Sequence, residues 1–221
     1  MRQQAKNAAK TRPVPTKRSL PAGGAKAHPI PAGSEDDVKI TALTLPPGQL
    51  SPEMAAYFEK CQERLGFVPN VLKAFSFDDA KLQAFVDYRQ ELVQNAENLS
   101  KLEIEMIATV VSSQNRCFYC ITAHGNSVRQ LGNPLLGEMI VQNYRAARLS
   151  KRQRAMLDFA VKLTTQPWEV EDQDREKLRR AGFSDRDIWD IASVAAFYNM
   201  TNRLASATDM RPNTVYHGQA R

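Results

Sequence analysis

Residues 100–124 read SKLEIEMIATVVSSQNRCFYCITAH, a stretch that combines strong helix signals with the reactive side chains of the chain. Ser100 and Glu103 have the spacing of a capping box ahead of apolar residues at helical intervals, which predicts a helix from about residue 101. Gln114 and Asn115 interrupt the apolar pattern. We therefore predict two helices joined by a turn, with Asn115 as the N-cap of the second helix.

Four side chains in this stretch can carry out chemistry, and their spacing is E-x11-C-x2-C-x3-H. Cys117 and Cys120 are close enough to form a disulfide, and His124 one turn later can take the proton that separates a thiol from a nucleophilic thiolate. Positions 117, 120 and 124 lie on one face of a helix. The positive end of the helix dipole favours a thiolate there. The pattern indicates a cysteine-based redox site.

Glu105 joins this site only if the chain reverses direction between the two helices. In one straight helix it would lie about 18 Å from Cys117, which is too far for direct contact. An antiparallel pair that turns at residues 114–115 places position 105 opposite position 124. We therefore predict that the Glu105 carboxylate contacts His124, sets its tautomer and passes protons to and from the thiol.

The remaining helix signals predict an all-α domain. Ser51, Asp78, Ser150 and Ser184 each precede apolar residues at three- and four-residue spacing, as in amphipathic helices. No alternating pattern of useful strand length appears.

An internal repeat accompanies the two capping-box patterns at residues 100–103 and 150–153. The matching pairs are Leu99 and Leu149, Met106 and Met156, Val111 and Val161, Arg129 and Arg179, and Gly132 and Gly182. In the second copy the reactive positions hold Ala155, Pro167, Val170 and Asp174. We predict an internally duplicated helical hairpin, in which one copy carries chemistry and the other completes the core.

The N-terminal segment differs in composition from the rest of the chain. Residues 1–34 hold seven Lys or Arg and no acidic residue, so they account for the net charge of +6. The remainder is near neutral, which argues against nucleic-acid binding. Rich in proline and without aromatic residues, residues 1–36 are predicted to be a disordered basic tail, and residues 37–221 the folded domain. An organellar transit peptide within residues 1–34 is the alternative for the tail.

The composition also indicates the cellular compartment in which the protein folds. No apolar run approaches the roughly 18 residues of a membrane-spanning helix. The chain has three cysteines, too few for the disulfide lattice of a small secreted protein, so we expect a reducing, cytoplasmic setting.

The cysteines have three other possible uses. Buried structural thiols are one, and we expect Cys61 to be an inert packing residue of this kind. A zinc site would use Cys117, Cys120 and His124 with a fourth ligand from Cys61, His28 or His217, none of which has a recognisable metal spacing. Covalent haem attachment needs C-x-x-C-H, and Ile121 occupies the last position. We predict no cofactor and no metal.

The chain resembles the AhpD-like alkylhydroperoxidase family of the carboxymuconolactone decarboxylase superfamily, and is most similar to its peroxidase-related branch. The resemblance covers about residues 40–210. Beyond the E-x11-C-x2-C-x3-H motif it rests on LGFVPNVL at residues 65–72, AGFS at residues 181–184 and AAFYNMTNR at residues 195–203. The best-known members have a histidine where this chain has Tyr119.

The resemblance implies roles for the four reactive residues. Cys120 would attack the peroxide and Cys117 would resolve the product, with Glu105 and His124 as the proton relay. It also implies an all-helical protein that needs no metal or haem and assembles as a trimer or hexamer.

We therefore expect a thiol peroxidase in antioxidant defence, with an organic hydroperoxide as substrate and an external dithiol or thiol as reductant, and with no nucleic-acid or membrane partner. The alternatives are a non-catalytic redox sensor or scaffold, and a lactone decarboxylase of the wider superfamily.

Overall fold

The computed structural model describes residues 39–221, which form nine α-helices and no strand. The predicted tail lies outside this described range. None of the described helices is long and apolar enough to cross a membrane. The helices are α1 (Pro52–Leu65), α2 (Asn70–Phe75), α3 (Asp79–Gln94), α4 (Lys101–Gln114), α5 (Phe118–Leu131), α6 (Pro134–Asn143), α7 (Lys151–Thr165), α8 (Asp172–Arg180) and α9 (Asp185–Ala207).

The predicted helix starts are confirmed by their caps. The side chains of Ser51, Ser100, Ser150 and Ser184 each accept a hydrogen bond from a backbone N–H in the first turn of α1, α4, α7 and α9. At the last three a capping box closes through the side chain of the third helical residue. Asp78 caps α3 in the same way. The all-α prediction is therefore confirmed, and these caps fix where the helices start.

Helix α4 is the centre of the domain. Every residue from Glu103 to Ser112 is buried, and α4 packs against α5, α6, α7 and α9. A helix that is covered on all sides must satisfy any polar group it carries inside the core. A carboxylate at position 105 is thus held in the interior, where a partner from a neighbouring helix is required.

The turn between α4 and α5 differs from the prediction. Asn115 is the C-cap of α4, and Cys117 is the N-cap of α5, so the predicted N-cap role of Asn115 was wrong. The N–H of Cys117 donates to the carbonyl of Ser112, and Arg116 adopts the left-handed conformation at φ 54°. This is the Schellman closure of a helix, which uses the residue after Asn115 to reverse the chain. Asn115 and Arg116 are used to end α4, so the N-cap of α5 falls on Cys117, two residues later than predicted.

The second hairpin keeps the helix order but shortens its second helix. Its first helix, α7, begins with the capping box of Ser150 and Gln153, as predicted. Pro167 begins a short 3-10 helix, and α8 starts only at Asp172, so α8 has 9 residues where α5 has 14. The reactive helix start of the first copy therefore has no counterpart in the second.

Candidate active site

The α4–α5 hairpin brings together two of the predicted site residues. Nδ1 of His124 lies 2.7 Å from Oε2 of Glu105. The two side chains come from adjacent antiparallel helices, so the turn between α4 and α5 sets their register. The predicted contact between Glu105 and His124 is confirmed.

The environment of Glu105 keeps it ionised. Its side chain is 11% exposed, and its second oxygen, Oε1, lies 4.0 Å from Nη2 of Arg89 on α3. Burial acts to raise the pKa of Glu105, but His124 and then Arg89 outweigh this and lower it below its ordinary value. An ionised carboxylate can only accept hydrogen bonds, so Nδ1 of His124 donates. Nε2 is then the nitrogen that can exchange protons with other groups.

The two cysteines at the start of α5 are both free thiols in a buried pair. Cys117 is 1% exposed and Cys120 is 3% exposed. A hydrogen bond from Cys120 lowers the pKa of Cys117 to about 6, with further help from the Cys120 backbone N–H and the Ser206 hydroxyl. The same bond, together with burial, raises the pKa of Cys120. Cys120 is therefore the hydrogen-bond donor of the pair, and Cys117 is the sulfur with the lower pKa.

The two sulfurs differ in their access to the neighbouring cavity as well as in their pKa. Cys120 and His124 both line a cavity of about 450 Å³, whereas Cys117 is not among the cavity residues. The Asn202 and Thr201 side chains of α9 lie beside the Cys120 sulfur and lower its pKa, against the larger opposite effects of Cys117 and burial. A molecule in the cavity can thus reach Cys120, with Cys117 behind it.

Aromatic and apolar side chains form most of the cavity wall. Tyr119, which precedes Cys120, is anchored there because its hydroxyl accepts a hydrogen bond of 2.9 Å from the N–H of Val71. Cys61 is buried as predicted, but it lies on the wall of this same cavity. Burial raises the pKa of Cys61, so it is a neutral thiol there. Other wall residues are Tyr57, Phe67, Phe75, Phe85, Phe197 and Tyr198.

Sequence reasoning missed three polar residues of the site. Arg89 reaches Glu105 from α3, and the ring of Tyr198 packs edge-on against His124 with centroids 4.5 Å apart. Asn202 is buried on α9 and donates to Oγ of Ser112 at 3.0 Å. A signal was available for two of them, because Tyr198 and Asn202 continue, at helical spacing, the apolar stripe of Ile191 and Ala195 on α9.

The alternative zinc site is not assembled in the described part of the chain. Residues 39–221 contain no group of three or more His, Cys, Asp or Glu side chains placed to hold a metal ion. His217 lies in a short 3-10 helix, where its ring faces Phe118 at 5.8 Å. His28 lies outside the described residues.

Comparisons with known proteins agree with this architecture. Residues 80–134 match the model of the carboxymuconolactone decarboxylase family. A search of curated proteins gives no significant match. The chain is 60% identical to a peroxidase-related protein from Silicibacter sp. TM1040 whose crystal structure superposes with a TM-score of 0.80, covering 83% of this chain and 97% of that one.

Two further structures extend the likeness. The first is the alkylhydroperoxidase AhpD core of a peroxidase-related protein from Ralstonia eutropha JMP134. It is 36% identical with a TM-score of 0.78, over 83% of this chain and 97% of that one. The second is the debrominase Bmp8, which is 20% identical with a TM-score of 0.66, over 80% of this chain and 93% of that one, and so shares the fold alone.

Proposed function

The chain belongs to the AhpD-like carboxymuconolactone decarboxylase superfamily, and from this premise we propose that it is a thiol-dependent peroxidase. It reduces organic hydroperoxides through a dithiol and disulfide cycle of Cys117 and Cys120, with Glu105 and His124 as proton relay, and serves in antioxidant defence.

One observation carries this proposal: Cys120 and His124 open onto the same cavity, and Glu105 is bonded to His124 from behind at 2.7 Å. Peroxide reduction needs a sulfur nucleophile and an acid for the departing oxygen. A second thiol must lie within reach of the oxidised sulfur. These groups converge at the start of α5.

The first step transfers one oxygen to sulfur. The Cys120 thiolate attacks the terminal oxygen of the hydroperoxide, the O–O bond breaks, and Cys120 becomes a sulfenic acid. The leaving alkoxide takes a proton from Nε2 of His124, which enters the step as the imidazolium, and departs as the alcohol. His124 regains this proton when the external dithiol reduces the disulfide. Glu105 stabilises the positively charged imidazole before that proton is given up.

Because Cys117 has the lower pKa of the pair, Cys120 must pass its proton to Cys117 before it can attack the peroxide. Since the proton on Cys120 already lies in its hydrogen bond to Cys117, transfer along that bond produces the Cys120 thiolate at the cavity. The neighbouring Asn202 and Thr201 side chains, which lower the pKa of Cys120, favour the new thiolate. Cys117, now a thiol, stands ready to resolve the sulfenic acid.

The second step closes the cycle. The Cys117 sulfur attacks the sulfenic sulfur, water leaves, and a disulfide forms. An external dithiol then reduces that disulfide by thiol–disulfide exchange and becomes a disulfide itself. The net reaction converts one hydroperoxide and one dithiol into an alcohol, water and one external disulfide.

Stopped-flow measurement of organic hydroperoxide consumption under excess dithiol tests the proposal. We expect turnover in the native protein, none in Cys120→Ser, and full turnover in the control Gln142→Ala, which is exposed on α6 away from the cavity. Mass spectrometry after one equivalent of hydroperoxide should show the loss of two hydrogens in the peptide that holds Cys117 and Cys120. Turnover that survives Cys120→Ser overturns the proposal.

The rival functions give different results in the same assays. A redox sensor forms the disulfide but consumes no peroxide beyond one equivalent. A lactone decarboxylase keeps its activity after both Cys117 and Cys120 are replaced. The homo-oligomer, a trimer or hexamer, remains a prediction, and measuring the mass in solution by light scattering tests it.

A further inference from the structure

The cavity beside Cys120 has an uneven charge. Of its lining residues within the described part of the chain, two are arginines, Arg64 and Arg89, and none is Asp or Glu. Arg64 is exposed, whereas Arg89 lies deeper, on the buried side of α3. An apolar cavity with a cationic wall favours a ligand that combines an apolar body with a negative charge.

Arg89 has more hydrogen-bonding capacity than its protein partner uses. A guanidinium has five N–H donors. Its partners are Glu105, at 4.0 Å and so beyond hydrogen-bond length, and the neighbouring Tyr198 hydroxyl, and its side chain is 37% exposed. The other carboxylate oxygen of Glu105 already accepts a hydrogen bond of 2.7 Å from Nδ1 of His124. The face of Arg89 toward the cavity is therefore able to take an anion in the bidentate manner typical of carboxylates.

A second polar group lies beside Arg89 and is also unsatisfied. The Tyr198 hydroxyl lies next to the Arg89 guanidinium, and its own proton has no acceptor among the described residues, although Tyr198 is only 3% exposed. A buried hydroxyl proton without an acceptor is costly and points to a ligand or water at that position. Burial and the nearby Glu105 raise the pKa of Tyr198, so it is a neutral hydrogen-bond donor. Tyr198 also lines the cavity and touches His124.

We propose that Arg89 and the Tyr198 hydroxyl together bind the carboxylate of an apolar organic acid in this cavity. Read with the proposed peroxidase function, on which this part rests, the preferred substrate is a hydroperoxide that carries a carboxylate on a compact apolar body. The aromatic wall formed by Phe75, Phe85 and Phe197 holds that body. The carboxylate lies near the relay because Arg89 and Tyr198 each approach one of its members, and this orients the peroxide group toward Cys120.

Binding is tested first without any chemistry. Calorimetry on the Cys117→Ser, Cys120→Ser double variant compares para-isopropylbenzoate with para-isopropylbenzyl alcohol, which share an apolar body and differ in charge. We expect the carboxylate to bind roughly tenfold to a hundredfold tighter, as for a charge-assisted hydrogen bond. Arg89→Met should remove this preference, and Arg148→Met, which removes the same charge from an exposed site, should keep it. Equal binding of the two probes to the double variant overturns the proposal.

The kinetic test separates anion recognition from a merely structural role of Arg89. The native protein is assayed with cumene hydroperoxide and with the same molecule bearing a carboxylate on its ring. If Arg89 only supports Glu105, Arg89→Met slows both substrates equally and their ratio of kcat/KM is unchanged, which would refute the inference. If Arg89 binds the carboxylate, then in Arg89→Met the kcat/KM for the carboxylate-bearing substrate, divided by that for cumene hydroperoxide, falls toward one. If Arg89→Met does not fold, Arg89→Lys is used in its place. This variant keeps the charge and should keep part of the preference for the carboxylate-bearing substrate.

The two proposals fail in different ways. Tight carboxylate binding without peroxide turnover leaves the anion site standing and removes the peroxidase. Turnover without preference for the carboxylate-bearing substrate leaves the peroxidase standing and removes the anion site.

Discussion

The charge on Cys117 gives the sharpest test of the site's electrostatics. The thiol is fully buried, yet its pKa is lowered from an ordinary value of 9.0 to about 6. The largest cause is the hydrogen bond that it accepts from the Cys120 thiol, and the Cys120 backbone N–H and the Ser206 hydroxyl add to it. The perturbation is Cys120→Ala, which removes the first of these donors and leaves the backbone N–H in place.

The magnitude follows from the size of one such bond. A fall of about three pH units corresponds to about 4 kcal/mol in favour of the thiolate. A hydrogen bond to a charged group contributes about 1.5–3 kcal/mol. Loss of the Cys120 thiol should therefore raise the Cys117 pKa by about one to two pH units. Ser206→Ala, which removes a lesser donor, should raise it by less.

The assay is the ultraviolet absorbance of the thiolate as a function of pH, in a Cys61→Ser background so that only the pair contributes. With both cysteines of the pair present, the absorbance should show a transition near pH 6, because the Cys117 thiolate is present above that pH and protonated below it. Cys117→Ser should abolish the transition and Cys120→Ala should move it upward. A transition near pH 9 in the native pair, or one that Cys120→Ala leaves in place, would refute the reasoning.

Three further predictions concern the relay, the turn and the α9 contacts. Glu105→Gln, which removes the charge beside His124, should lower the stopped-flow peroxide rate by about tenfold to a hundredfold. Arg116→Gly should stabilise the fold by about 1 kcal/mol, because glycine adopts the left-handed conformation without cost. Calorimetric Tm should then rise by about 2–4 °C. Asn202→Ala should lower the urea-measured free energy of unfolding by about 1–3 kcal/mol, since the Ser112 hydroxyl loses its donor.

Each of these has a matched control. Glu103→Gln changes another buried carboxylate of α4 that contacts Arg152 away from the site, and it should leave the peroxide rate unchanged. Gly182→Ala forces a side chain into a left-handed position at φ 92° and should lower Tm. Gln142→Ala, at an exposed position of α6, should leave unfolding unchanged. Equal effects of the paired substitutions would contradict the corresponding explanation.

The helical content and the relay register were predictable because their causes are local. Serine caps and capping boxes are read from four consecutive residues, and they begin α4, α7 and α9 as expected. The Glu105–His124 contact needed one more step, the reversal between two adjacent helices. That step is also short in sequence, so spacing alone placed the two side chains opposite each other.

The turn itself was less predictable. Asn115 has a side chain suited to an N-cap, but it donates instead to Asn199 and Asn202 of α9. Those partners lie more than 80 residues away in the chain. The left-handed Arg116 then moves the cap to Cys117. Local propensity is a weak guide where a long-range contact decides which of two adjacent residues caps the helix.

By itself, the amino-acid sequence determined that this is a helical protein, that its reactive side chains lie on one hairpin, and that a carboxylate meets an imidazole there. These features depend on hydrogen bonds and periodicities within a few helical turns. Only the tertiary structure decided which sulfur faces the cavity and that Arg89 and Tyr198 join the site. Helices α3 and α9 supply those groups, and the free energy that places them comes from burying the apolar faces of the whole domain around α4.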